Sequence, residues 1–71
     1  MTARPVKHSL TLKGHRTSVS LEEIFWLAFR EIATEKGVAL NVLAAEIDAG
    51  REVDVGLASA IRVFVLQTLR R

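Results

Sequence analysis

The sequence predicts a mainly α-helical domain that opens with a short β-hairpin. Two stretches near the N-terminus, residues 6–12 and 15–20, alternate polar and apolar side chains with the two-residue period of a strand. From Leu21 onward, apolar residues recur every three or four positions, the period of helices that bury one side. Breaks at Lys13-Gly14, at Gly37 and at Asp48–Glu52 divide the chain into two strands and three helices, all in one domain spanning 1–71.

Met1–Pro5 is read as a frayed end, with Pro5 suited to the start of a strand because it has no N–H for a ladder. In the first strand Val6, His8, Leu10 and Leu12 share one face, and Lys7, Ser9 and Thr11 share the other. Lys13-Gly14 is a two-residue hairpin loop, Gly14 supplying positive φ. Such a loop pairs Thr11 with Arg16, Ser9 with Ser18, Lys7 with Ser20, Leu10 with Thr17 and His8 with Val19. Polar then meets polar and apolar mostly meets apolar, whereas a slip of one residue mixes the faces. On the second strand Arg16, Ser18 and Ser20 point one way, and Thr17, Val19 and Leu21 the other.

Ser20-Leu21-Glu22-Glu23 matches a capping box, so the first helix is expected over 21–36 and Gly37 just past its end. Its stripe is Leu21, Ile24, Phe25, Ala28, Phe29 and Ile32, widened by Trp26, Leu27 and Ala33. The second helix is expected over 40–49, with Leu40, Leu43, Ala44 and Ile47 inward. The third is expected over 55–69 with Asp54 as N-cap. Leu57, Ala58, Ile61, Phe64, Val65 and Leu69 form its buried side, Val63 and Leu66 are surplus, and Arg62, Arg70 and Arg71 lie toward the end that favours cations.

Seventy-one residues support only a marginal core, and small domains are commonly rescued by disulfides, a metal or oligomerisation. The chain has no Cys and only two His, so with 49% hydrophobic residues oligomerisation is the rescue that remains. No apolar run approaches the roughly 20 residues of a membrane span, and the N-terminus lacks a signal peptide's apolar region. A cytoplasmic protein is the default expectation. Residues 1–20 carry Arg4, Lys7, Lys13 and Arg16 and no acid, while residues 21–71 carry six Lys/Arg against eight Asp/Glu. That asymmetry points the N-terminal end toward a polyanion.

A strand, a helix of about four turns, a glycine-containing turn and a second helix, in that order, resemble the ribbon-helix-helix family, which includes the Arc and MetJ repressors. HRTSVSLEEIFWLAFREIATEKG looks like that family's strand and first helix, and VALNVLAAEI like the opening of its second. The match is best over residues 15–49. In detail the chain is most similar to small bacterial members with an extra N-terminal strand and an extended C-terminal helix. The resemblance implies an intertwined homodimer in which one strand from each copy pairs antiparallel and the ribbon enters the DNA major groove, as strand readers do.

By position, the family's base-reading residues fall on Arg16, Ser18 and Ser20. Arg bonds bidentately to guanine and Ser to either kind of base. Its phosphate clamp, the second helix's N-terminus, falls on Ala39, Leu40 and Asn41. Ala39 replaces the usual Ser or Thr cap, leaving backbone donors. Lys7 and Lys13 are expected to add phosphate contacts. The dimer core is expected from Val19, Leu21, Phe25, Ala28, Ile32, Leu43, Ile47, Ile61 and Phe64. A DNA-binding transcriptional regulator such as a repressor follows, with double-stranded DNA and a second copy as partners and higher assembly on DNA left open. The alternative is an adaptor or antitoxin-like interaction module that keeps the fold, lacks DNA binding and holds a partner protein through the third helix. Antitoxins of this kind carry a tail beyond the last helix, and this sequence stops two residues past it.

Other chemistry is poorly supported. His8 and His15 have no paired carboxylate close in sequence, and adjacent Glu22 and Glu23 do not face each other on a helix. Asp48, Glu52 and Asp54 cluster in a helix break without a ligand motif. Trp26 and Phe29, at helical spacing among apolar residues, read as core or dimer contacts. No metal, cofactor or enzymatic activity is expected.

Overall fold

A computed structural model describes residues 4–70. Met1–Ala3 of the expected N-terminal end, and Arg71 of the expected basic terminus, lie outside the described residues. The elements in order are β1 (Val6–Leu12), β2 (His15–Leu21), α1 (Glu23–Lys36), α2 (Leu40–Gly50) and α3 (Leu57–Leu69). β1 and β2 form a two-stranded antiparallel ribbon within the one chain, with Leu12 opposite His15 and Val6 opposite Leu21. Lys13 (φ 53°) and Gly14 (φ 84°) both have positive φ, the pattern of the type I′ turn whose twist suits a hairpin. This tight turn sets the register that matching of the polar and apolar faces requires.

Four boundaries differ from the sequence expectation, and pairing across the fold explains the two where β2 meets the first helix. The capping box does not form. β2 continues through Leu21 because β1 reaches back to Val6 to pair with it, and Ser20 stays extended opposite Lys7. The first helix therefore begins at Glu23 with Glu22 as N-cap and no side-chain cap bond. Glu22 and Glu23 are occupied elsewhere, by Arg62 and His8. The third helix starts at Leu57 with Gly56, not Asp54, at the N-cap. Arg51 holds the intervening turn in a tight loop, donating from Nε to Asp48 Oδ1 (2.8 Å) and from Nη1 to the Val55 carbonyl (2.7 Å). The second helix runs one residue further than expected, to Gly50.

The core lies between the inner face of the ribbon and the three helices. Leu10, Val19 and Leu21 come down from the sheet onto Trp26, Phe29, Ile32 and Ala33 of α1, Leu43 and Ala44 of α2, and Ile61 and Val65 of α3. Phe29 is fully buried, with the Phe64 ring edge-on at 6.4 Å. Of the residues expected at a dimer core, Val19, Leu21, Ile32, Leu43 and Ile61 are buried inside the single chain. Phe25, Ala28, Ile47 and Phe64 pack partly buried against them. The single chain thus covers the first five and leaves the other four partly open.

Three helix residues expected on apolar faces are left outside: Ile24 is 73%, Leu27 52% and Leu69 63% exposed. The α1 face toward the core is centred on Phe29, and Ile24 falls to one side of it. α3 turns Ile61 and Val65 inward, which carries Leu69 past the end of the packed face. Val63 and Leu66, surplus in the sequence, are also exposed.

Candidate nucleic-acid interface

The ribbon's outer face is built by strand alternation alone. With Leu10, Val19 and Leu21 drawn into the core, Lys7, Ser9, Thr11, Arg16, Ser18 and Ser20 must point the other way. All six are exposed. The pairing places Lys7 beside Ser20, Ser9 beside Ser18 and Thr11 beside Arg16, so the face is one continuous patch carrying cations and hydroxyls and no carboxylate. Arg16 reaches across the ribbon, its Nη2 3.4 Å from Ser9 Oγ, a long contact that leaves the guanidinium available to another acceptor.

Lys13, at the tip of the hairpin, lies alongside α2 and shares surface grooves with Ala45 and Ala49. A shallow groove there is lined by Thr11, Lys13, Asn41, Val42, Ala45 and Glu46. Asn41 Oδ1 accepts a hydrogen bond from the Thr11 amide (3.1 Å), tying the first turn of α2 to the outer edge of β1. Ala39 is the N-cap, and no side chain bonds to the first-turn amides of α2. Leu40 turns its side chain partly into the core, so its backbone N–H is what it can offer an anion. The candidate clamp thus consists of backbone donors alone, which favour an anion at a helix N-terminus.

Two further polar links hold the ribbon on the helices, and neither follows from the sequence pattern. His8 sits on the inner face of β1, stacked flat on Trp26 (centroids 4.0 Å apart, 6° between planes), with Nε2 2.8 Å from Glu23 Oε1. The apolar alternation placed His8 inward, but assigning Glu23 to a capping box hid its partner. Arg62 lies in the middle of α3, not near its C-terminal end. It donates from Nε to Glu22 Oε1 (2.9 Å), contacts the Ser20 carbonyl from Nη2 (3.4 Å) and places its guanidinium 5.9 Å from the centroid of the Phe25 ring. The Arg62 hydrogen bond, aided by the backbone around Glu22, holds the Glu22 carboxyl below the usual carboxylate range. Forty residues separate this pair, so no local motif announces it.

Elsewhere, the carboxylates of the helix break do not converge. Asp48 is paired with Arg51, and among the described residues no group of three or more His, Cys, Asp or Glu could hold a metal ion. His15 lies exposed at the hairpin end, opposite Leu12. Trp26 and Phe29 are core residues and present no stacking platform. No helix among the described residues is long and apolar enough to cross a membrane.

No curated protein and no solved structure matches the sequence significantly. The Ribbon-helix-helix domain family matches residues 5–69, taking in both strands and all three helices. The chain therefore belongs to the ribbon-helix-helix family, a regulatory DNA-binding fold, and carries that fold with a further C-terminal helix.

Proposed function

We propose that the chain is a sequence-specific double-stranded DNA-binding protein acting as a homodimer, most simply as a transcriptional regulator. The observation that carries this reading is the outer ribbon face: six exposed side chains in register, cationic or hydroxyl-bearing, without an acid. Arg16, Ser18 and Ser20 are the proposed base readers. Arg16 supplies the bidentate fork that recognises guanine, and the serines adapt to either purine or pyrimidine edges. Ser20 is free for this role because its hydroxyl caps no helix.

Lys7, Lys13 and the amides of Ala39, Leu40 and Asn41 are the proposed phosphate contacts. They fix the register on the duplex without reading sequence. The second reading, a protein-interaction module, draws on the exposed apolar side chains of α3.

Fluorescence anisotropy on labelled genomic DNA fragments at low and near-physiological salt tests the proposal, with Arg16→Ala alongside wild type. Affinity should fall with salt through counterion release. Arg16→Ala should cost about 1–3 kcal/mol on preferred fragments and little on others. Absence of binding at low salt would reject DNA recognition and favour the interaction module. Equal loss on every fragment would reduce Arg16 to a phosphate contact.

A further inference from the structure

Of the two grooves that Lys13 shares with α2, one lies between the hairpin tip and the break that joins α2 to α3. Its volume is about 430 Å³, within the range of roughly 300–1,000 Å³ typical of small-molecule sites. Half-buried Leu12, Ala45 and Leu57 line it together with exposed Ala49. Ala45 and Ala49 lie one turn apart on the same side of α2, and their short side chains leave the space open.

The polar groups of the groove are cationic in balance. Lys13 and Arg51 supply two fixed cations against the single carboxylate of Asp48, and Thr17 adds a hydroxyl and His15 an imidazole. Asp48 is already engaged, since its Oδ1 accepts from Arg51 Nε. With Nη1 donating to the Val55 carbonyl as well, the guanidinium is held at two points, and its Nη2 makes no hydrogen bond among the described residues. The Arg51 side chain is 30% exposed, so Nη2 is within reach of a solute. A donor fixed before its ligand arrives loses little freedom on binding. Lys13 forms no ion pair among the described residues. Leu57 opens α3, whose N-terminus has no side-chain cap, so the positive end of that helix's dipole lies at the same wall.

We infer that this groove binds a small aliphatic monocarboxylate, its carboxylate between the Lys13 ammonium and Arg51 Nη2 and its hydrocarbon chain over Leu12, Leu57 and the two alanines. Each part of the lining narrows the class. Ammonium and guanidinium donors select an anion. The nearby Asp48 carboxylate disfavours a second negative charge, which favours a monoanion over a phosphate monoester. His15 is the sole aromatic ring in the lining, and no Asn or Gln joins it, so a nucleobase would lack both a stacking platform and partners for its edge. Aliphatic walls stabilise a hydrocarbon body by taking it out of water.

Lys13 belongs both to this site and to the proposed phosphate contacts. An acid that occupies its ammonium lowers affinity for DNA, and DNA lowers affinity for the acid by the same factor. This coupling rests on the proposed function; binding of the acid does not.

NMR of the ¹⁵N-labelled full chain tests the site with octanoate as the probe, chloride holding ionic strength constant, and octan-1-ol and inorganic phosphate as comparisons. Octanoate should shift backbone amides within residues 12–17 and 48–57 in a saturable way. The dissociation constant should be about 5 mM or lower, as the binding energy per atom of so small an acid allows. Octan-1-ol at equal concentration should leave these amides unmoved, and phosphate should bind at least about tenfold more weakly. Lys13→Asn should weaken octanoate binding about tenfold. Ala49→Leu fills the groove without altering charge and should weaken it at least as much, with helix content by circular dichroism unchanged in both variants. Lys36→Asn removes an equal charge at the end of α1 and should bind octanoate as wild type does.

No saturable shift up to about 50 mM octanoate, equal shifts with octan-1-ol, tighter binding of phosphate, or wild-type affinity in Lys13→Asn would overturn the inference. If Ala49→Leu fails to fold, Lys13→Asn decides. In fluorescence anisotropy, saturating octanoate should weaken DNA binding severalfold, and unchanged DNA affinity would overturn the coupling alone. Octanoate bound by a chain that ignores DNA would reject the proposed function and leave this site standing. DNA bound by a chain that ignores octanoate would do the reverse.

Discussion

The two faces of the hairpin are made by alternate residues of the same strands, yet they answer to different physics. The inner face sends Leu10, Val19 and Leu21 into a core where none is more than 4% exposed. Each of these side chains contributes by leaving water and filling space, and the contribution depends on shape and volume. The outer face sends six polar side chains into solvent, where a single substitution changes stability little. Its worth lies in what a polyanion would meet there. One face therefore tolerates no loss of volume and the other tolerates almost any small polar residue without unfolding. Foldedness and recognition are separable by mutation along a single strand.

That separation can be broken or sharpened by experiment. The largest effect is expected inside: Leu21→Ala, at a site with no exposure, should cost about 2–5 kcal/mol in urea unfolding. For a domain this small that is a large share of total stability. A cost below about 1 kcal/mol would mean that the site collapses around the smaller side chain and that the inner face is not tightly packed.

Next comes the outer face at the hairpin tip. Lys13→Asn removes a charge and places at a positive-φ loop position a residue that prefers it, so thermal stability should hold or rise. The salt dependence of DNA binding should meanwhile become shallower by about 0.9 for each phosphate that the lysine had neutralised. An unchanged salt slope would mean that Lys13 touches no phosphate.

The smallest effect concerns the link between the faces. Glu22 has a lowered pKa in the folded state, so its contribution is fully present above the unfolded-state carboxylate pKa and is lost as pH falls through the folded value. Glu22→Gln should flatten that acid limb of the stability profile while leaving neutral-pH helix content intact. An acid limb that keeps its slope in the variant would assign the pH dependence to other carboxylates.

The register of the hairpin was readable in the sequence because two constraints agreed. A two-residue loop at Lys13-Gly14 permits one pairing, and that pairing also separates polar from apolar residues. The helical stripes were equally plain, since their period is a local property. Where a residue had two local options, the sequence was ambiguous. Ser20 can cap a helix or extend a strand, and Glu23 can complete a capping box or meet His8. Distant partners decided each case: Val6 pairs with Leu21 and thereby draws Ser20 into the strand, and the His8 ring, held flat on Trp26, meets Glu23.

By itself, then, the sequence determined the elements, their faces and the cationic, acid-free surface of the ribbon, because alternation and helical period are set by near neighbours. Only the tertiary structure decided where the strands end and which apolar residues one chain can cover. It also placed Arg62 of α3 at the junction of ribbon and first helix. These depend on contacts between residues far apart in the chain, whose free energies exceed the small local preferences that a capping motif expresses.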